Sequence, residues 1–423
     1  MKFYPYTDIF TNKIESNKMK KAALVSIFFG MSFLLNAQEE TSANKASFEL
    51  GSGLNFSFNE GAYQFNISGF IQPNYVFEET EGSKSTNELN SKRSFLMFGG
   101  KAVKEKVSFL LQTDFSLSTP LMDAWVAYHP TSYLTISAGQ KQTFVNNKEM
   151  MIREDRLQFN DRSFLSENMS NTGREMGVFI ESKFGTKFGI APKLAWTSGD
   201  GRNSFGSDSR DTDIGGFKLG GRLDIYPLGF FSEGIEQTTT DLIREEKFKF
   251  VVGIAFSSNN GASSANGEGH GDFLLYDAEG DVSLPDYDQL YVDLLMKYKG
   301  ISFLAEYNNS TASDINQIYT DPAANTILVP QQISSYYLLG DNYNFQGGYV
   351  TKKGYSFDAR YEISKPEFSA YTDSVLKDTS SYTIGLTKYF KGNNLKLQTS
   401  FTSVQVENGN NQVIASLLMQ IVF

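Results

Sequence analysis

The stretch "GYSFDARYEIS", residues 354 to 364, alternates between apolar and polar side chains. The apolar set is Tyr355, Phe357, Ala359, Tyr361 and Ile363, and the polar set is Ser356, Asp358, Arg360 and Glu362. Because successive side chains of a β-strand point to opposite faces, this period of two predicts a strand. Such a strand separates an apolar environment from a polar one.

The same alternation recurs in "GFKLGGRLDIY" at 216 to 226, in "NLKLQTSF" at 394 to 401 and in the final "VIASLLMQIVF" at 413 to 423. A soluble sandwich would show it too, so the connections between strands must discriminate. We predict sixteen strands, at 62–77, 92–101, 105–117, 121–129, 132–140, 175–184, 187–197, 215–226, 247–257, 288–299, 301–308, 342–351, 354–364, 379–390, 394–406 and 412–423.

Short and long connections alternate along the predicted chain of strands. Tight ones such as "VKEK", "HPTS" and "TKKG" alternate with long polar ones at 141–174, 198–214, 258–287 and 309–341. Short periplasmic turns and long external loops are typical of outer-membrane barrels. The sequence therefore predicts an all-β fold, a 16-stranded antiparallel transmembrane β-barrel with a long third loop. Two connections depart from this rule, a short outer one at 116–120 and a long inner one at 227–246.

Composition restricts the class of protein. Aromatic residues make up 14% of the chain, which has 36 glycines and no cysteine. After residue 37 no apolar run approaches the about 18 residues of a membrane-spanning helix, whereas a barrel strand needs only alternation. The net charge of −10 argues against nucleic acid as a partner. The lack of cysteine excludes a disulfide framework and thiol chemistry.

The amino terminus has the pattern of a secretory signal peptide. Lys20 and Lys21 follow Met19, an apolar run spans 22–35, and Ala37 is a small residue suited to cleavage. We predict a signal peptide at 1–37 with Met19 as the working start, a periplasmic extension at 38–61, and a barrel domain at 62–423. The predicted location is the outer membrane of a Gram-negative cell, in contact with its lipid.

The carboxyl terminus ends on an apolar segment without a polar tail. Counting back from Phe423, one face holds Ile421, Met419, Leu417, Ala415 and Val413, while Gln420, Leu418 and Ser416 lie on the other. We expect this strand to close on the first strand, so that no sheet edge is left unpaired. A terminal aromatic resembles the signal read by the barrel-assembly machinery, so Phe423 is the predicted assembly signal.

The third external loop is the main candidate for function. It spans about 34 residues, from 141 to 174, and long irregular loops in compact domains are usually functional or disordered. Apolar residues such as Ile152, Leu157 and Phe159 predict that it packs against the barrel wall. Four of the chain's arginines lie in it: Arg153, Arg156, Arg162 and Arg174.

Four motifs carry a family resemblance. They are "KRSFLMFGGKAVKEKVSFLLQTDFS" at 92–116, "LMDAWVAYHPTSYLTISAGQKQTF" at 121–144, "DRSFLSENMSNTGREMGVFIESKFG" at 161–185 and "SYTIGLTKYFKGNNLKLQTSF" at 381–401. In order and spacing they resemble the phosphate-selective porin O and P family. The resemblance covers roughly residues 62 to 423. It implies a trimeric sixteen-stranded channel whose third loop narrows a pore lined by arginine and lysine.

Several family positions are changed in this chain. The paired arginines that open the family's second strand match Lys92 and Arg93, and a further arginine of that strand is replaced by Phe95. A glutamate-arginine-serine step matches Asp161, Arg162 and Ser163, and the arginine before the next strand matches Arg174. The family's "GQFKxPFGxE" pattern survives as Gly139, Gln140, Phe144 and Glu149.

The candidate pore-lining and anion-contact residues each have a structural alternative. The candidates are Lys92, Arg93, Arg153, Arg156, Arg162, Arg174, Lys218, Arg222 and Arg360. The loop arginines could instead pair with nearby acidic residues and hold the loop's shape, and Arg222 and Arg360 each lie two residues from an aspartate on one strand face. Alternation predicts that only one of Lys92 and Arg93 points straight into the lumen. Inward aspartates make the lumen mixed in charge, and thus a weaker anion filter.

Two functional hypotheses follow. The first is a porin that forms a water-filled channel for passive diffusion of small hydrophilic solutes, with a modest anion bias that includes phosphate. The alternative is a non-conducting structural or secretion-associated barrel. We expect no enzyme, no cofactor and no metal site, because the two histidines, His129 and His270, are too few and too far apart in sequence.

Overall fold

The computed structural model describes residues 44–202, 216–232 and 236–423, and it consists almost entirely of antiparallel strands. The predicted signal peptide lies outside these described residues. The strands are β1 (Lys45–Glu49), β2 (Gly53–Phe58), β3 (Tyr63–Thr80), β4 (Thr86–Ala102), β5 (Val107–Asp114), β6 (Leu121–Thr131), β7 (Leu134–Gln142), β8 (Arg174–Ser182), β9 (Phe184–Gly185), β10 (Gly189–Thr197), β11 (Lys218–Tyr226), β12 (Lys249–Asn259), β13 (Asp286–Tyr298), β14 (Ile301–Ser313), β15 (Gly340–Val350), β16 (Tyr355–Pro366), β17 (Thr379–Tyr389), β18 (Leu395–Val406) and β19 (Gln412–Val422).

Sixteen of these strands, β3 to β8 and β10 to β19, form a closed barrel. Each pairs with the next one along the chain, and β19 pairs antiparallel with β3, for example Ile421 with Ile71. Beyond the last paired residues, Phe423 and Gly69 exchange two backbone hydrogen bonds of 2.8 Å. The prediction that the carboxyl-terminal strand closes on the first strand is confirmed.

The hairpin β1–β2 extends the wall at one rim of the barrel. Strand β2 pairs with the first residues of β3, such as Leu54 with Ile67, on the same edge of β3 that β19 occupies further along. Asn394, in the short connection between β17 and β18, donates a hydrogen bond to the Leu50 carbonyl at 2.9 Å. The hairpin therefore lies at the short-turn end, which is the periplasmic end of an outer-membrane barrel.

The two ends of the barrel differ as predicted from loop parity. The long-loop end carries the connections at 143–173, 260–285, 314–339 and 367–378, and also the connection between β10 and β11, of which 198–202 and 216–217 are described. Three external connections are short, at 81–85, 115–120 and 407–411, and they neighbour one another around β18, β19 and β3 to β6. At the opposite end, the connection between β11 and β12 spans 227–248, and it corresponds to the long inner connection predicted at 227–246.

The wall has an apolar outer face and a largely polar inner face. Leu417, Met419 and Ile421 are exposed on the outside, whereas Leu418 and Gln420 are fully buried on the inside. Strand β16 alternates in the same way, with Asp358, Arg360 and Glu362 turned inward. Among residues 44–202, 216–232 and 236–423, no helix is long and apolar enough to cross a membrane.

Helices are few and short in the described part of the chain. They are the α-helices Phe164–Met169 and Pro330–Ile333, with one 3-10 turn at Glu154–Arg156. Ser163 caps the first helix, because its hydroxyl accepts a hydrogen bond from the Ser166 amide. Both the helix Phe164–Met169 and the 3-10 turn belong to the connection 143–173.

Candidate functional site

The third loop, defined here as residues 143–173, lies inside the barrel lumen. Its backbone bonds to the wall on several sides. The Asn146 carbonyl accepts from Arg222 at 2.9 Å, and the Glu149 amide donates to Glu306 at 2.7 Å. Across the barrel, the Asn160 side chain donates to Ser416 at 2.7 Å. The prediction that this loop packs against the wall is confirmed.

Apolar anchors and wall glycines fit the third loop to the barrel. Phe144 and Val145 pack with Phe179 and Ala195 of the wall. A Cβ at Gly220 would approach the Val145 side chain to 2.6 Å. A larger residue there would push the loop away, because buried contacts of this kind leave no spare volume. The loop and the inner face of the wall are therefore matched in shape.

Glu149 is a hydrogen-bonding centre of the third loop. Its Oε2 atom accepts from the Ser163 amide at 2.7 Å, from the Ser163 hydroxyl at 2.6 Å and from the Ser166 hydroxyl at 2.7 Å. Its Oε1 atom pairs with Arg360 of the wall at 3.6 Å. One buried carboxylate thus ties the start of the loop to its helix and to strand β16.

Glu154 is a second centre, which collects two of the predicted arginines. Arg174 donates to Glu154 at 2.6 Å and also pairs with Asp123 at 3.4 Å. Arg162 donates to Glu154 at 3.1 Å and to the Glu149 carbonyl at 2.7 Å. Burial alone would raise the pKa of Glu154, but Arg174 and Arg162 hold it below its ordinary value. Both arginines are buried in these ion pairs, which stabilise the loop.

Lys92 and Arg93 both reach the third loop, because a β-bulge interrupts strand β4. The register with β3 shifts so that Arg93 faces Gln72 and Ser91 faces Pro73, which leaves Lys92 as the extra residue. Lys92 pairs with Asp161. Arg93 donates to the Gln72 side chain at 2.9 Å and to the Asn160 carbonyl at 3.3 Å. The structure differs here from the strict alternation expected of the sequence, which allowed only one of them to point inward.

Arg153 and Arg156 keep part of their side chains accessible. Each side chain is 29% exposed, and both share Asp155, to which Arg153 donates at 2.6 Å and which Arg156 approaches at 3.9 Å. Arg156 also donates to Gln237 at 3.0 Å. Two guanidinium groups share one carboxylate, so this part of the lumen carries surplus positive charge.

The wall candidates Lys218, Arg222 and Arg360 are buried and paired. Lys218 donates to Glu175 at 2.7 Å. Arg222 lies 2.7 Å from both Asp224 and Asp293. Arg360 pairs with Glu362 at 3.0 Å and stacks on Phe159, 4.8 Å from the ring centre. Arg222 thus pairs with the aspartate two residues away, as the structural alternative states. Arg360 is also paired, but with Glu362 and Glu149, while Asp358 accepts from Gln158.

Several wall residues that bind the third loop carry no recognisable signal in the sequence. Gln158 donates to Asp358 at 2.6 Å, and Lys396 donates to the Leu157 carbonyl at 3.1 Å. Gln420 of the last strand donates to the Asp155 carbonyl at 3.0 Å. An aspartate, a lysine and a glutamine on the inner faces of strands look like ordinary lumen residues, so only their inward position could have suggested this role.

The inner insert, defined as the described residues 227–232 and 236–248, folds into the lumen below the third loop. Phe231 packs with Val251, Leu295 and other inward residues of the wall. The Asp241 carboxylate accepts from the Gly300 amide at 2.7 Å, and Lys297 donates to the Thr238 carbonyl. Its contact with Arg156 through Gln237 brings it against the third loop. The lumen is therefore narrowed from both ends.

Comparison with solved structures supports an outer-membrane β-barrel fold. The chain matches no family model and no curated protein. It is 12% identical to the outer-membrane channel DcaP of Acinetobacter baumannii, with a TM-score of 0.53 over 86% of this chain and 98% of that chain. It is 10% identical to a loop-deletion mutant of the outer-membrane protein OmpT of Vibrio cholerae, with a TM-score of 0.50 over 86% of this chain and 100% of that chain. At these identities the likeness shows the fold.

Proposed function

We propose that this chain is an outer-membrane porin for passive diffusion of small hydrophilic solutes. The carrying observation is that charged side chains of the lumen remain accessible beside the third loop. The exposed fraction is 21% for Lys92, 37% for Asp161, and 29% for Arg153 and Arg156. An aqueous path through a barrel requires charged groups that remain accessible to water in the lumen, and these side chains are accessible in that way. The solved DcaP structure, which shares the fold, is described as a channel.

Within this function we propose a modest anion bias, phosphate included, centred on Arg153 and Arg156. Arg162 of the loop and Arg174 at the start of β8 are instead buried in ion pairs with Glu154. A guanidinium group binds phosphate or carboxylate oxygens well, but only when its donors are free to turn toward the solute. Membership of the phosphate-selective porin family remains part of this proposal, supported by the four sequence motifs.

Single-channel recording in planar bilayers tests the proposal. We expect ohmic current steps, and a reversal potential in a KCl gradient that favours chloride. The double variant Arg153→Gln with Arg156→Gln should shift the reversal potential toward potassium, because it removes the surplus positive charge. Lys365→Gln, at an external site where the side chain is 54% exposed, is the matched control and should leave selectivity unchanged. Cation preference in the unmodified chain would contradict the anion bias.

A non-conducting barrel with a structural or secretion-associated role is the second candidate. It is favoured by the contact between the third loop and the inner insert, where Arg156 and Gln237 lie 3.0 Å apart inside the lumen. In the same recordings this candidate predicts no steady current from correctly inserted protein.

A homotrimer is part of the porin proposal. The external connections at 81–85, 115–120 and 407–411 are short and adjacent, so no long loop of the described residues projects above that side of the barrel. Such a side suits packing of copies against one another. Native mass spectrometry of the detergent-solubilised protein tests this, and a mass of one chain would contradict it.

A further inference from the structure

We propose that the third loop and the inner insert enclose a chamber that binds a small organic monocarboxylate, with Lys148 as the contact for the carboxylate. This inference rests on the proposed function, because it names a solute class for the same lumen. It places the binding site on the periplasmic side of the third loop, away from Lys92 and Asp161.

The chamber has three walls formed by different parts of the chain. Its volume is ≈ 280 Å³, close to the lower end of ligand-binding cavities. The third loop and the end of β7 contribute Lys148, Met151 and Gln142, and the wall contributes Glu181 and Lys193. The inner insert closes the chamber with Glu236 and Gln237, next to Tyr226 at the end of β11.

Lys148 is the group in this chamber that lacks a strong partner. Only 5% of the residue is exposed, and its ammonium lies 3.7 Å from Asp224 Oδ1, too far for a hydrogen bond. Within the described part of the chain it makes no hydrogen bond. A buried ammonium without hydrogen bonds is costly, and burial lowers the pKa of Lys148 accordingly. A bound anion would supply the missing acceptor.

The charges around Lys148 leave one positive charge in excess. Lys193 donates to Asp224 at 2.9 Å, and Arg222 bonds to both Asp224 and Asp293 at 2.7 Å. Three cations therefore share two carboxylates. The other two acids of the chamber are already occupied, since Glu181 pairs with Lys141 and Glu236 pairs with Lys183 at 2.7 Å. An excess of one charge matches a single carboxylate.

The lining also indicates the rest of the ligand. Phe144, Met151, Ile152 and Tyr226 add apolar surface beside Lys148. Arg222, whose charge acts on Lys148, has a buried side chain that is already bonded to two aspartates and to the Asn146 carbonyl. No free guanidinium fork in the described lining offers the bidentate geometry that suits phosphate. A carboxylate with a short apolar body fits these surroundings better.

Ligand-observed saturation-transfer NMR on the full refolded chain in detergent tests the inference. The probes are propionate, its neutral analogue propionamide, and inorganic phosphate as a competitor. We expect propionate to bind, propionamide to give no transfer, and phosphate to displace propionate only weakly. Lys148→Met should weaken propionate binding about tenfold, the value of one charge-assisted hydrogen bond. Lys148→Arg, which keeps the charge, should retain most of the binding.

Controls separate this inference from misfolding and from the proposed function. Lys365→Met, which removes an exposed external charge, should bind propionate as the unmodified chain does. Heat-modifiable migration in gels checks that Lys148→Met is folded. Unchanged propionate binding in folded Lys148→Met, or equal binding of propionamide, would overturn the inference. A channel that conducts without binding propionate refutes the chamber alone, and a barrel that binds propionate without conducting refutes the porin function alone.

Discussion

Glu167 differs from the other glutamates of the third loop because water reaches it. Glu149 and Glu154 are buried and bonded to arginines, whereas Glu167 is exposed in the lumen on the helix Phe164–Met169. Although the side chain is exposed, the barrel surrounds it, so its carboxylate is less hydrated than one on an open surface, and the negative charge of Asp161 is near. These effects raise the pKa of Glu167 to about 7, against the opposing influence of Lys92, Arg360 and Arg93. At the residue scale, Glu167 is thus a carboxylate that titrates near neutral pH.

A pH dependence of selectivity follows from Glu167. Above its raised pKa the carboxylate is ionised, and below it the group is neutral, so the lumen loses one negative charge as pH falls from 8 to about 5.5. We expect the reversal potential in a salt gradient to move toward anions over that range. Glu167→Gln should be anion-shifted already at pH 8 and should respond less to acidification. An identical pH response in this variant would contradict the assignment.

The third loop acts as an element fixed at many points. The Glu149 carboxylate bonds to Ser163 and Ser166 inside the loop and pairs with Arg360 of the wall. The wall, by contrast, is held by its own backbone ladders, which do not depend on these contacts. At the element scale, the loop can therefore loosen while the barrel stays closed.

Replacing Glu149 by alanine should release the third loop. The change leaves Arg360 with one acidic partner fewer and removes three hydrogen-bond acceptor contacts, a cost of about 3–5 kcal/mol for a buried pair of this kind. We expect faster protease cleavage within 143–173 and noisier single-channel current, with heat-modifiable migration retained. Glu88→Ala, at an exposed position on β4, is the matched control. A loop that resists protease as well as the control does would show that Glu149 does not hold it.

The seam between β19 and β3 completes the whole molecule. The Phe423 backbone exchanges two hydrogen bonds with Gly69, so the last residue of the chain extends the closing ladder by one pair. Without closure the two edge strands would present unpaired backbone groups to lipid, where no water can satisfy them. At this scale the terminus serves the integrity of the barrel as well as its proposed role as an assembly signal.

Deleting Phe423 should lower the yield of inserted barrel. The deletion removes both seam hydrogen bonds and the terminal aromatic that we propose the assembly machinery reads. Quantitative gels of outer-membrane fractions, comparing heated with unheated samples, measure the folded fraction. Phe390→Ala, which removes an exposed aromatic from the outside of the same rim, should insert normally. Full insertion of the truncated chain would contradict the assembly role.

The strands and the closure were accessible from the sequence, and the contacts of the lumen were not. Alternation located all sixteen barrel strands, because lipid outside and polar groups inside impose opposite requirements on neighbouring residues. The bulge at Lys92 was missed, since an extra residue in one strand is visible only against its partner. Pairing with acidic residues was the alternative for Arg162, Arg222 and Arg360, but the sequence did not identify the partners. The observed ones, Glu154, Asp293 and Glu149 at 2.7 to 3.6 Å, are brought near by the closed barrel and the fold of the loop.

By itself the sequence determined the barrel architecture, the polarity of its two faces, and the positions of the long third loop and the long inner connection. Only the tertiary structure showed that both segments enter the lumen. It also showed which arginines form buried ion pairs, and that Lys148 lines a chamber. The physical reason is the separation along the chain between the residues that interact. Alternation is a local property of a strand in two solvents, whereas the pairing of Glu149 with Arg360 joins residues that only the closed barrel brings together.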